Sequence, residues 1–210
     1  MRIMPNVKQR SEEWFKLRCG RPTSSQFSRI ITATGKPSKQ ADDYMIELVA
    51  DCLCPGESDW TGNQYTDRGT ELEPKAREEF ARIMQVIVEE VGFCTRDDEV
   101  AGCSPDGLVK DAQGNYIAGV ELKCPLPKTH AKYVMEDKLP DAYKQQVHGS
   151  MAVTGLDFWY FMSYCPGMKP FILLIERDAY TDTVSKELDS FLIRYAAVRE
   201  SLLPKLAIQD

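Results

Sequence analysis

The stretch from Val100 to Cys124 sets the tightest limit on what this chain can fold into. Val100 to Lys110 and Tyr116 to Cys124 are rich in strand-forming residues, and Asp111-Ala112-Gln113-Gly114-Asn115 between them has turn chemistry. The spacing predicts an antiparallel hairpin. Side chains alternate across a strand, so Glu121 and Lys123 project on one face while Val120, Leu122 and Cys124 project on the other. The same hairpin brings Asp106, in Ser104-Pro105-Asp106-Gly107, beside Glu121 and Lys123.

Around this hairpin the pattern alternates between helix and strand. Ser11-Glu12-Glu13 predicts a helix start and Cys19-Gly20 its stop. Thr23-Ser24-Ser25-Gln26 fits a capping box, with Thr23 as N-cap, opening a second helix through about Ile31. Helices follow over about Gln40 to Cys54 and Thr70 to Met84, the latter with Leu72, Ala76, Phe80 and Ile83 on one side and Pro74 either in its first turn or marking a slightly later start. Pro55 to Gly69 reads as a polar loop. Val86 to Cys94 predicts a further strand. After the hairpin come a helix over about Pro140 to Val153, strands over Phe158 to Tyr164 and Phe171 to Arg177, and a closing amphipathic helix carrying Val184, Leu188, Phe191, Tyr195, Val198 and Leu202. The expected class is α/β, a central mixed sheet of about five strands flanked by helices. With no linker-like segment, residues 1–210 read as one domain, on a prior of roughly 100 to 200 residues per domain.

No apolar run approaches the ~20 residues that span a bilayer, and MRIMPNVKQR lacks the apolar centre of a signal peptide. The expectation is a soluble, intracellular protein without a membrane partner. Seven cysteines, an odd number with no CxxC pair, suit neither a disulfide framework nor a zinc knuckle, and four grouped thiolates for an iron-sulfur cluster are not evident. The net charge of -6 argues at first against a nucleic-acid partner. Its distribution argues the other way. Residues 1–40 hold nine basic residues against Glu12 and Glu13, so the acidic excess lies entirely in the rest of the chain. That polarity suits an enzyme that offers a basic surface to phosphates and gathers carboxylates elsewhere.

Asp106 and Glu121 on neighbouring strands can grip a divalent cation, and hard oxygen ligands favour Mg²⁺ or Mn²⁺ over Zn²⁺. Lys123 beside them can hold, orient or help deprotonate an attacking water. Taken singly, Ser-Pro-Asp-Gly is a common turn and E-x-K on a strand is a common solvated pair. Together they form a kit for metal-assisted phosphodiester hydrolysis.

Pro105-Asp106 followed by Glu121-Leu122-Lys123 resembles the PD-(D/E)xK nuclease signature. The likeness extends through WFKLRCGRPTSS (14–25), GTELEPKAREEF (69–80), CSPDGL (103–108), ELKCP (121–125), AYKQQVHGSMAVT (142–154) and WYFMSYCPGMK (159–169). These blocks, in this order, are similar to the lambda-exonuclease and YqaJ-like viral recombinase family. The resemblance implies a restriction-endonuclease-like core and a Mg²⁺-dependent exonuclease that degrades one strand of duplex DNA from its 5′ end, releasing mononucleotides and leaving a 3′ single strand. It implies two metal ions per site, with Mn²⁺ able to substitute. Asp106 would bridge them, Glu121 and the Leu122 carbonyl would complete one of them, Glu73 would be a further acid, and Lys123 would serve the nucleophilic water. Tyr143 and Gln146 would lie near the scissile phosphate, and Arg18, Ser25 and Ser104 would bind the terminal 5′ phosphate. A toroidal homotrimer, a single-strand annealing protein as partner and a phage or prophage gene acting in the bacterial cytoplasm are implied in the same way.

Read from the residues alone, Arg18 also fits a surface arginine packed across Trp14, Ser25 fits the first turn of a capped helix, and Glu73 fits an exposed first-turn acid. His130 and His148 read as polar partners rather than metal ligands. Tyr65, in the 55–69 loop with Trp60, is a candidate wedge between the duplex strands. Two rivals remain open at this point: an endonuclease or junction resolvase with the same chemistry, and a catalytically silent DNA-end binder.

Overall fold

The computed structural model describes residues 1–54 and 64–207. Eight strands and six α-helices among these residues form two sheets with helices packed on them. The larger sheet has the order β2 (Ile87–Glu89), β5 (Gly107–Lys110), β6 (Tyr116–Lys123), β7 (Phe158–Ser163), β8 (Phe171–Glu176). Its pairs are antiparallel except β6 and β7, which run parallel and are joined through α4 (Pro127–Glu136) and α5 (Asp141–Thr154). The five-stranded mixed sheet is therefore as expected.

The smaller sheet, β1 (Arg2–Met4), β3 (Phe93–Thr95) and β4 (Gly102–Cys103), is not. It arises because two segments read as continuous strands each break. Val86 to Cys94 divides at Gly92, where a side chain would collide with the Val7 carbonyl, so the chain passes close beneath the N-terminal segment. Val100 to Lys110 divides at Ser104-Pro105-Asp106, where Pro105 has no N–H to offer a ladder. The chain steps there from one sheet to the other. The Asp106 N–H reopens pairing on the Val120 carbonyl at 3.0 Å.

Alternation along β6 holds as read. Ala118, Val120 and Leu122 pack with Ala76 and Phe80 of α3 (Gln64–Met84), while Glu121 meets Gln146 of α5 on the opposite face. On that face Gly119 lies against Trp159, whose ring would stand 2.3 Å from an added Cβ. A second apolar cluster joins the 3₁₀ helix Ser24–Arg29, α2 (Ala41–Leu53) and α6 (Ala179–Leu206). Helices thus cover both faces.

Local starts follow side-chain chemistry. The Ser11 hydroxyl accepts from the Trp14 N–H to open α1 (Glu12–Arg18), and Asp178 opens α6 in a capping box with Thr181. The capping box expected at Thr23 does not form. The segment is 3₁₀ rather than α, and Thr23 Oγ1 instead accepts from Arg18 Nη2 at 3.0 Å. Helix α3 begins at Gln64, so Pro74 lies inside it rather than in its first turn. Ile83, expected on its buried side, is exposed. The short helix α4, with Pro127 at its first position, has no counterpart among the expected elements.

Candidate active site

Four segments converge on the step between the sheets. The hairpin supplies Asp106, whose Oδ2 accepts the Leu122 N–H at 2.6 Å. Strand β6 supplies Glu121 and Lys123, which form an ion pair. Glu121 is 2% exposed, and its Oε1 also accepts from Gln146 Nε2 of α5 at 2.7 Å. The Lys123 ammonium lies 5.0 Å from the centre of the Tyr143 ring, which stacks on Phe161 at 5.4 Å and is approached at 3.4 Å by the Tyr133 hydroxyl. Helix α3 supplies Glu73, bonded at 2.8 Å to Arg77 and approached at 3.5 Å by Arg10. The fold thus brings Asp106, Glu121, Lys123, Gln146, Tyr143 and Glu73 together.

Their electrostatics follow from crowding in a dry setting. Burial, then the Glu121 charge, pushes the Asp106 carboxyl up to about 7, against the opposing pull of Lys123, the Leu122 N–H and Arg77. Burial, then the charge of Asp106, also raises Glu73, while Arg77 and Arg10 oppose this. Burial works against the Lys123 charge, but Glu121 and Asp106 outweigh it and hold the ammonium above its ordinary range. In the metal-free protein Lys123 is therefore a cation, placed to orient an anion or water.

Crowded carboxyls that repel one another are what a hard divalent cation relieves. Among the described residues no three His, Cys, Asp or Glu side chains stand gathered as a ready ligand set. Asp106 and Glu121 with the neighbouring backbone of Leu122 nonetheless match Mg²⁺, which is bound through one or two carboxylates and keeps several waters. The donor set fits the implied metal.

A second cluster lies two residues away along the chain. The Arg18 guanidinium sits 4.2 Å from the Trp14 ring and donates to Ser104 Oγ at 3.3 Å, Thr23 Oγ1 at 3.0 Å and Ser25 Oγ at 3.4 Å. Packing on Trp14 and a polar role for Arg18 thus coexist. Trp14 Nε1 also donates to Ser104 Oγ, at 2.8 Å. With both of its lone pairs engaged, the Ser104 hydroxyl keeps its proton for an incoming acceptor. Burial lowers the Arg18 pKa, and no carboxylate among the described residues pairs with it. A half-buried guanidinium facing three hydroxyls is a place for an anion.

Sequence reasoning overlooked some residues here. Thr23 was assigned to a cap and belongs instead to the Arg18 cluster. Arg77 carried a readable signal, standing four residues after Glu73 on one helix face. Gln9, which donates to the Pro105 carbonyl at 2.8 Å, carried none. His130 is fully buried between Ser163 and the Lys169 carbonyl, and His148 bonds Thr181, so both are polar partners. The Tyr65 side chain and Trp60 lie outside the described residues. Among the described residues no helix is long and apolar enough to cross a membrane.

The model of the YqaJ-like viral recombinase domain matches residues 13–157, more than half of the chain. No curated protein matches significantly. Among solved structures, an alkaline exonuclease, LHK-Exo, from Laribacter hongkongensis is 32% identical with a TM-score of 0.78, over 93% of this chain and 97% of that one. LHK-Exo in complex with dAMP matches with 33% identity, the same TM-score and the same coverage. A phage-related exonuclease from Haemophilus somnus 129PT shares the fold at 17% identity and a TM-score of 0.68, over 92% of this chain and 99% of that one. The family match takes in α1, the Asp106 to Lys123 hairpin and α5, and the fold is the restriction-endonuclease-like fold of the alkaline exonucleases. On sequence and fold together, the chain belongs to the YqaJ-like viral recombinase family, beside alkaline exonucleases of the lambda-exonuclease type.

Proposed function

We propose that this phage-type exonuclease is a Mg²⁺-dependent enzyme that degrades duplex DNA processively from the 5′ end, releases 5′-mononucleotides and leaves a 3′ single strand for recombination by annealing. The observation that carries the reading is the two-residue spacing between Ser104, in the Arg18 cluster, and Asp106, in the acidic cluster. An anion pocket so close to a hydrolytic centre measures out a chain end. An endonuclease or junction resolvase has no use for it. The relative captured with dAMP supports a mononucleotide product.

In this reading Asp106, Glu121, Glu73 and the Leu122 carbonyl hold two Mg²⁺ ions, and Mn²⁺ substitutes. When bound, such ions polarise the phosphate and stabilise charge developing on the attacking and leaving oxygens. Lys123 orients the nucleophilic water, while Gln146 and Tyr143 flank the scissile phosphate. Arg18, Ser25 and Ser104, joined by Thr23, hold the terminal 5′ phosphate. Residues 1–210 act as one exonuclease domain, assembled as a toroidal homotrimer around DNA and working in the cytoplasm of a bacterial host with a single-strand annealing protein. Digestion of linear duplexes labelled at the 5′ or 3′ end, with and without 5′ phosphate and Mg²⁺, tests this. Immediate release of 5′ label as mononucleotide, only with Mg²⁺ and faster from phosphorylated ends, is expected. Degradation of a covalently closed plasmid would instead favour the endonuclease.

A further inference from the structure

Asp106 sits where the chain crosses between two sheets, a junction with little ladder of its own, yet its carboxylate must be placed to within a fraction of an ångström to hold a cation. Two side chains from outside the hairpin grip the peptides on either side of it. Arg77 Nε donates to the Asp106 carbonyl at 2.6 Å. Gln9 Nε2 donates to the Pro105 carbonyl at 2.8 Å and to the Val91 carbonyl at 3.1 Å.

Arg77 also holds a second part of the site, and so does Arg10, the neighbour of Gln9. The same Arg77 guanidinium bonds Glu73 at 2.8 Å and Glu90 at 2.7 Å, so one planar, 12%-exposed fork fixes the distance between the acid on α3 and the acid on the hairpin. Gln9 is followed by Arg10, which adopts the left-handed conformation at φ 67° and approaches the other oxygen of Glu73 at 3.5 Å. The next residue, Ser11, caps α1, the helix of Trp14 and Arg18. A non-glycine residue in this conformation persists only where its surroundings hold it.

We propose that Arg77 and Gln9 are positioning residues that set the divalent-metal affinity of the site by holding the Asp106 peptide and Glu73 in register. This rests on the reading of Asp106 and Glu73 as metal-holding acids. Partners that orient ligating groups from behind typically change metal affinity about 10- to 100-fold when removed. A purely structural role predicts no such change. Lysine in place of Arg77 keeps the charge but has no planar fork to span Glu73 and the carbonyl together.

Mn²⁺ titration by calorimetry on the DNA-free protein reads the affinity directly. The Mg²⁺ concentration for half-maximal cleavage and the binding of a 5′-phosphorylated duplex end in EDTA are read beside it. Arg77→Met is expected to weaken Mn²⁺ binding about tenfold or more and to raise the Mg²⁺ requirement in parallel, with duplex-end binding in EDTA within about twofold of the parent. Arg77→Lys should recover only a minor part. Gln9→Met, which touches no acid, should give a smaller shift in the same direction. If both Arg77→Met and Gln9→Met bind Mn²⁺ as tightly as the parent, whatever their cleavage rates, the inference is overturned. Should Arg77→Met fail to fold, Gln9→Met alone decides by the same measure. A parent protein that neither binds Mn²⁺ nor cleaves DNA would sink the proposed function itself, an outcome distinct from parent-like variants.

Discussion

At the scale of single residues the site is defined by which groups stay charged. In the metal-free protein the Glu121 and Asp106 charges hold the Lys123 ammonium above its ordinary range, so a cation stands beside the two acids. Lys123→Ala should lower cleavage by roughly 10²- to 10⁴-fold while leaving duplex-end binding intact; unchanged turnover would remove Lys123 from the chemistry. Arg18→Ala should leave cleavage of 5′-hydroxyl ends close to the parent rate and erase the advantage of phosphorylated ends, which competition between the two substrates measures. Asp106 adds a pH dependence whose sign can be worked out. In the folded, metal-free chain its carboxyl keeps a proton up to about 7, whereas an unfolded aspartate loses it near ~4. Between those values the folded state binds the extra proton, so stability falls as pH rises through that window, and the raised Glu73 adds in the same direction. Urea midpoints in EDTA should be higher at pH 5 than at pH 7.5, Mg²⁺ should shrink the difference, and Asp106→Asn should remove much of it. An Asp106→Asn slope equal to the parent's would assign the effect elsewhere. Glu121 and Lys123 were legible in sequence because strand alternation is a strict period, and Asp106 because hairpin pairing fixes its neighbours. Gln9 was not, since it acts through a contact with a residue far along the chain, and Thr23 was not, since its bond to Arg18, five residues earlier, follows no helix or strand period.

At the scale of elements, β6 carries the site because its two faces do different work. One face packs Ala118, Val120 and Leu122 on α3, and the other presents Glu121 and Lys123 beyond Gly119. Gly119 is bare because Trp159, fully buried on the parallel neighbour, fills the space a side chain would need. Gly119→Ala should therefore destabilise by ~1–3 kcal/mol through overpacking, read as a lowered denaturation midpoint. It should also disturb cleavage, since Glu121 is two residues along the same face. A parent-like midpoint would mean that the indole has room to move. The strands and helices with a clear period were read correctly, and the misreadings have physical causes. Pro105 and Gly92 end strands that hydropathy alone would continue. Pro74 looked like a helix start because an interior proline costs ~3 kcal/mol, yet α3 continues through it. The Thr23 hydroxyl bonds Arg18, five residues earlier, and caps no helix.

At the scale of the whole molecule, the basic excess of residues 1–40 and the acidic excess of the rest would, on the proposed function, divide the labour between holding DNA and holding cations. A subunit of net charge -6 cannot stay on DNA by bulk attraction, because affinity for the phosphate backbone depends on neutralising phosphates and weakens steeply with salt. Topological enclosure solves this without added charge: a closed ring slides while its contacts break and reform. The proposed trimer thus makes a prediction that separates enclosure from affinity. Light scattering should give about three times the 23.8 kDa chain mass. Once digestion of a labelled duplex has begun, an excess of unlabelled duplex should leave the ongoing degradation nearly unaffected even at raised salt, because an enclosed strand has no off-pathway to exchange through. A monomer, or a trimer whose digestion stops as soon as the competitor arrives, would defeat the ring as the source of processivity. The polarity proposed from the Arg18 cluster would stand untouched, since that cluster lies within a single chain.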